Sequence, residues 1–218
     1  MRNVMPLGSI IRALGITALL ATTVQAQESR PFRDSWFWGA KVGTLSVGTS
    51  ETGRTWAPSI GAEWLITRSA GGLWAFVDHT SFDIRTSVDD PTVTSGRREV
   101  DVRNLRRFGF AAVISPRAFG MIRPYAGLGM SLNVVGRAAA VADSAGNSAG
   151  TSVRTAIEDQ RSRASVLGLA GLQAQFSRAA LFTQLTATPA SRKFLLNDGP
   201  LVGVDFGLRY NFGSSVAR

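Results

Sequence analysis

Apolar and polar residues alternate with period two through most of the chain beyond residue 35, and the last such run is the most regular. Val202, Val204, Phe206, Leu208, Tyr210 and Phe212 fall on one face; Gly203, Asp205, Gly207, Arg209 and Asn211 fall on the other. Successive side chains of a strand point to opposite faces, so this pattern predicts a strand with chemically different sides. Ala126, Leu128, Met130, Leu132 and Val134 oppose Tyr125, Gly127, Gly129, Ser131 and Asn133 in the same way. Ile60, Ala62, Trp64 and Ile66 oppose Ser59, Gly61, Glu63 and Thr67, and Trp36, Trp38, Ala40 and Val42 oppose Gly39, Lys41 and Gly43. Separated by turn clusters, runs of this kind predict eight strands, at residues 36–47, 56–67, 73–85, 99–114, 121–142, 156–176, 180–188 and 201–212.

The connections between these runs read long, short, long, short, long, short, long. That order fits an all-β fold: a closed antiparallel transmembrane β-barrel of eight strands over residues 36–212, with short periplasmic turns and longer extracellular loops. Alternation alone also fits a soluble, lipocalin-like barrel with its apolar face inward. The charges decide between them. Lys41, Glu63, Asp205 and Arg209 sit near strand middles, and an Arg or Lys facing lipid at the bilayer midplane costs about 2–4 kcal/mol. They are therefore expected to face a glycine-rich lumen. An isolated buried charge is prohibitive, so they should pair into a network that plugs the interior. Lys41 should meet Asp205, because the first and last strands of a closed barrel are neighbours. Trp36, Trp38, Trp56, Trp64, Tyr210 and Phe212 lie near strand ends, as interfacial aromatic girdles do.

Before the strands, Arg2 and Arg12 flank a short basic region, residues 13–24 are apolar, and Val24-Gln25-Ala26 supplies compact residues for cleavage. Residues 1–26 are thus expected to be a signal peptide, residues 27–35 a short periplasmic segment, and residues 213–218 a C-terminal tail. Removing the two arginines before residue 27 takes the formal net charge from +9 to +7. An exported basic chain meets little nucleic acid; its anionic partners are expected to be lipopolysaccharide phosphates and outer-membrane lipid. Cysteine is absent and His79 is the one histidine, which excludes disulfides, thiolate metal sites and multi-histidine metal sites. No cofactor is expected.

The stretch Asp205-Phe206-Gly207-Leu208-Arg209-Tyr210-Asn211-Phe212 resembles the last-strand insertion signal of outer-membrane proteins, with Asp205, Gly207, Tyr210 and Phe212 at its signature positions. The residues after Phe212 depart from that pattern, in which the terminal aromatic usually ends the chain. Arg123-Pro124-Tyr125-Ala126-Gly127-Leu128-Gly129 resembles the central strand of small OmpA/OmpX-like barrels of Gram-negative bacteria. The resemblance implies insertion by the barrel assembly machinery. It also implies that the long third to sixth strands project outward and recruit a surface protein partner at a sheet edge.

Chemistry has few candidates. His79-Thr80-Ser81 resembles the His-x-Ser pair of outer-membrane lipid A deacylases, and Asp83 shares its face by alternation. In that family the pair comes late in the chain, so a catalytic role for His79, Ser81 and Asp83 is not the favoured expectation. Arginines gather instead towards the external ends of strands four to six. Parity places Arg103, Arg107, Arg137, Arg161 and Arg163 inward, paired with Asp101, Glu158 or Asp159, and leaves Arg97, Arg98 and Arg106 to contact lipopolysaccharide. Residues 143–155, rich in Ser, Gly and Ala, read as a mobile loop tip. The expected protein is a non-enzymatic barrel with a plugged lumen that serves envelope integrity or surface interaction. A narrow porin-like channel and a lipid A-modifying enzyme are its rivals.

Overall fold

The computed structural model describes residues 34–68, 71–116, 118–142 and 147–214. Eight strands follow in chain order: β1 (Ser35–Thr49), β2 (Gly53–Thr67), β3 (Gly71–Asp89), β4 (Arg97–Ile114), β5 (Ile122–Ala140), β6 (Ser162–Phe176), β7 (Ala179–Thr188) and β8 (Leu201–Ser214). Each pairs antiparallel with the next, and β8 returns to β1, closing the sheet as the alternation predicts. Closure gives every strand two neighbours, so the paired region exposes no free main-chain edge. A helix, α1 (Thr151–Gln160), lies between β5 and β6.

The expected export segment, residues 1–26, lies outside the described residues, as do residues 27–33 and 215–218. Both barrel boundaries move outward. Ser35 belongs to β1, where its amide donates to Thr67 Oγ1 at 3.1 Å and its Oγ accepts from Asn211 Nδ2 at 3.0 Å, and β8 runs on to Ser214. The first connection is not long: residues 50–52 are as short a link as residues 68–70.

Residues 156–160 form the last half of α1 rather than the start of a strand, and residues 151–155, read as loop tip, form its first half. Val153 and Ile157, four apart, stack on one helical face and are both buried, while the residues between them are polar or small. Residues 143–146 lie outside the described residues. Consequently β6 is no longer than β1 or β2, and only β3, β4 and β5 are extended.

At the end carrying the connections after β1, β3, β5 and β7, here the loop end, the wall divides. The β2–β3 pairing stops at Ser59–Thr80 and the β6–β7 pairing at Gly168–Ala187, while β3–β4 continues to Asp89–Arg97. Residues 189–200 fold into the space between. Phe194, Leu195 and Leu196 are buried against Leu45, Val47, Val100, Val102, Leu105, Val153 and Ile157. Backbone bonds fix this strap: Leu195 N donates to Gln160 O at 3.1 Å and Asp198 N to Gly48 O at 3.2 Å. Arg54 Nη2 also reaches Pro200 O at 2.7 Å. A second apolar layer, with Phe37, Leu65, Trp74, Val113 and Tyr125, fills the lumen towards the opposite, turn end.

Candidate functional site

Between the two apolar layers lies a band of buried charge. Lys41, Glu63, Asp205 and Arg209, the four expected lumen residues, all point inward and are at most 2 % exposed. Lys41 Nζ lies 3.2 Å from Asp205 Oδ2, as the closure of β1 on β8 requires, and 2.8 Å from Asp78 Oδ1. Arg107 Nη2 holds the other Asp78 oxygen at 2.8 Å. Arg209 pairs with Glu63, and its remaining N–H groups donate to Gln173 Oε1 at 2.6 Å and Tyr125 Oη at 3.2 Å. Trp74 Nε1 donates to the second Glu63 oxygen at 3.0 Å. Three cations thus face three carboxylates, and hydrogen bonds tie neighbouring pairs together, which is the condition under which buried charge is tolerated.

Aromatic rings complete the packing. Arg209 sits 4.0 Å from the centre of Phe182, and Lys41 Nζ 4.8 Å from that of Phe76. Glycines make room for these groups. A Cβ on Gly207 would meet Phe182 Cζ at 2.4 Å, and one on Gly61 would meet Asp78 Oδ1 at 2.2 Å. The glycine-rich inner face is therefore the space that the rings and charges occupy. Asp78, Tyr125, Gln173 and Gln184 are members that the sequence reading did not place in the network. For Asp78 the signal is weak because β3 carries large apolar residues on both faces: Trp74 and Phe76 inward, Leu73 and Val77 outward.

The outer surface is the reverse. Every strand contributes large exposed apolar side chains, among them Val42, Ile60, Val77, Phe110, Leu128, Val166, Leu185 and Phe206. At the turn end aromatics form a continuous outer patch: Trp64 packs on Trp36 and Trp38 with ring centres 5.4 and 5.6 Å apart, and Tyr210 meets Phe212 at 5.1 Å. Trp56 lies outward near the loop end.

The arginine expectations need correction. Asn104 has φ 58°, the left-handed region, and stands opposite the two β3 residues Ser81 and Phe82, where the β3–β4 register shifts. This bulge reverses the facing of β4 beyond it, and β5 reverses beside it at Gly136. Arg103 and Arg137, cross-strand partners, therefore point outward rather than into the lumen. Arg98 does not face outward: it is buried, with Nε 2.5 Å from Asp90 Oδ2 and Nη1 donating to the carbonyls of Val141 and Asn147. Hydrogen bonds from Thr92 and Arg98 hold the Asp90 carboxyl down to about 2. Arg97 is exposed, 3.4 Å from Glu51, and Arg106 is exposed.

Of the expected pairings only Arg161–Glu158 forms, at 3.2 Å. Asp101 pairs with Arg85, Asp83 with Arg103, and Arg107 joins the lumen network. Arg163 has inward parity but is exposed, because β7 does not reach its level beside β6. His79, Ser81 and Asp83 share the outer face. Asp83 is engaged by Arg103 Nη2 at 2.8 Å, and no hydrogen bond links the three.

No family model and no curated protein matches the chain. Solved structures do. Neisserial surface protein A is 13% identical with a TM-score of 0.54, over 81% of this chain and 97% of that one. The attachment invasion locus protein Ail of Yersinia pestis, solved with the heparin analogue sucrose octasulfate, is 13% identical with a TM-score of 0.49, over 83% and 100%. The outer membrane protein OprG of Pseudomonas aeruginosa is 10% identical with a TM-score of 0.49, over 84% and 98%. At such identities the first of these likenesses shows a shared fold.

Proposed function

We propose that this chain is an integral outer-membrane β-barrel with an occluded lumen, which serves envelope integrity or surface interaction through its loop end and does no catalysis. One observation carries the reading: large apolar side chains are exposed on all eight strands, around an interior of fully buried ion pairs. Water would penalise the first arrangement, whereas hydrocarbon favours it and pays nothing for a lumen whose charges are already paired. The neisserial surface protein of the same fold fits this reading. The loop end, with its strap, helix and arginine-rich rim, would face outward, the termini would face the periplasm, and the barrel assembly machinery would insert the chain.

Expression of the full chain in a Gram-negative host tests the address. The protein should sediment with outer membranes, resist extraction by urea and change its gel mobility on boiling. Recovery in the soluble fraction released by osmotic shock would contradict it and favour a periplasmic barrel. Cells lacking the protein should become more sensitive to detergent, with their lipid A unchanged in mass.

A further inference from the structure

We infer that the outer face of β4 and β5, at the loop-end border of the apolar belt, binds a phosphorylated lipid headgroup through Arg103, Arg106 and Arg137. The inference rests on the membrane reading above. On three adjacent strands the outward positions are apolar up to one level and then change character. On β3 they run Leu73, Val77, His79; on β4 Ile114, Phe110, Phe108, Arg106; on β5 Leu128, Met130, Leu132, Val134 and then Arg137. The register places His79 beside Arg106, and Arg103 beside Arg137.

The bulge is what gathers the arginines. Without the left-handed Asn104, strict alternation would turn Arg103 into the lumen, and without the matching reversal at Gly136 it would turn Arg137 there too. A non-glycine residue held in that region costs free energy, and such positions gather at ligand sites. The result is two cations directly opposite each other on paired strands, an unfavourable arrangement that Asp83, 2.8 Å from Arg103, relieves on one side only.

The acids nearby do not suffice. Arg85 takes Glu99 and Asp101, Arg97 takes Glu51, and Asp83 takes Arg103. Among the described residues this leaves Arg106 and Arg137 without a carboxylate partner. A phosphate, which offers several oxygens at once, suits guanidinium forks on one outer face better than any neutral group does. The apolar surface directly below, exposed Phe108 and Leu132 with half-buried Val134, selects an anion that carries acyl chains, because chains would lie on that surface while the headgroup meets the arginines.

The test uses the full chain in phosphatidylcholine vesicles, with spin-labelled phosphatidic acid and spin-labelled phosphatidylcholine as probes. The wild type should hold phosphatidic acid selectively. Removing one arginine should weaken that preference roughly fivefold, and the double variant Arg106→Ala/Arg137→Ala about 25-fold. Arg97→Ala, which removes a rim arginine already paired with Glu51, should leave it unchanged. Equal retention by wild type and double variant would overturn the site. Loss of selectivity on adding millimolar inorganic phosphate would also overturn it, assigning the arginines to a free anion. Failure of the wild type to enter phosphatidylcholine vesicles would refute the membrane reading itself and remove the site with it, whereas insertion without selectivity refutes the site alone.

Discussion

Replacing Arg209 by Met is expected to lower folding stability by about 3–5 kcal/mol, because it leaves Glu63 charged and buried without its cation. The guanidinium also supplies donors to Gln173, Tyr125 and Gln184, so four acceptors lose a partner at once. Glu63 would keep only the Trp74 indole at 3.0 Å and the Gln184 amide at 3.4 Å. Urea unfolding in lipid vesicles measures the loss. The double variant Arg209→Met/Glu63→Met should recover most of it, since removing both charges from a dry site is close to neutral. A single-variant loss below about 1 kcal/mol would mean that water reaches the pair and stands in for the missing cation.

The second large effect concerns the strap over the loop end. Leu195 and Leu196 are each 1 % exposed within the apolar layer that also holds Val153 and Ile157 of α1. A buried Leu→Ala change costs about 2–5 kcal/mol, while the backbone of residues 189–200 is anchored by only a few bonds to α1 and the β1–β2 hairpin. The double variant Leu195→Ala/Leu196→Ala should therefore release the strap without opening the closed sheet. Arg192 and Lys193 lie in it and are exposed, which makes trypsin a direct probe. Cleavage there should accelerate about tenfold or more, while the gel mobility shift on boiling persists. Unchanged cleavage would show that the leucines do not hold the strap.

These effects mark where the sequence is legible and where it is not. β8 is readable because one face is uniformly polar or glycine: Asp205 and Arg209 against Phe206 and Leu208 leave no choice of facing. The Lys41–Asp205 contact follows from closure alone, with no knowledge of side-chain geometry. Asp78 escapes because Trp74, Phe76, Leu73 and Val77 make both faces of β3 look apolar, and only the sheet shows which pair is inside. Arg103 and Arg137 are misread for a local reason. Period-two reasoning assumes an unbroken strand, and one left-handed residue, Asn104, reverses everything beyond it.

Phe194, Leu195 and Leu196 read as part of a connection because three apolar residues among Arg192, Lys193 and Asn197 carry no period. Their burial depends on a gap between β6 and β7 that no local pattern announces. For α1 the information is present, in the four-residue spacing of Val153 and Ile157, but the strand that follows obscures it.

Collision of nitroxide labels with dissolved oxygen and with an aqueous nickel chelate measures which surface meets hydrocarbon. The chain has no cysteine, so Leu128→Cys, Phe206→Cys and Gln184→Cys each offer one attachment point without competition. In phosphatidylcholine vesicles, labels at 128 and 206 should collide readily with oxygen and hardly with the chelate, and a label at 184, inside the packed network, with neither. Labels at 128 and 206 that meet the chelate freely, as they would on a barrel standing in water, would contradict the account.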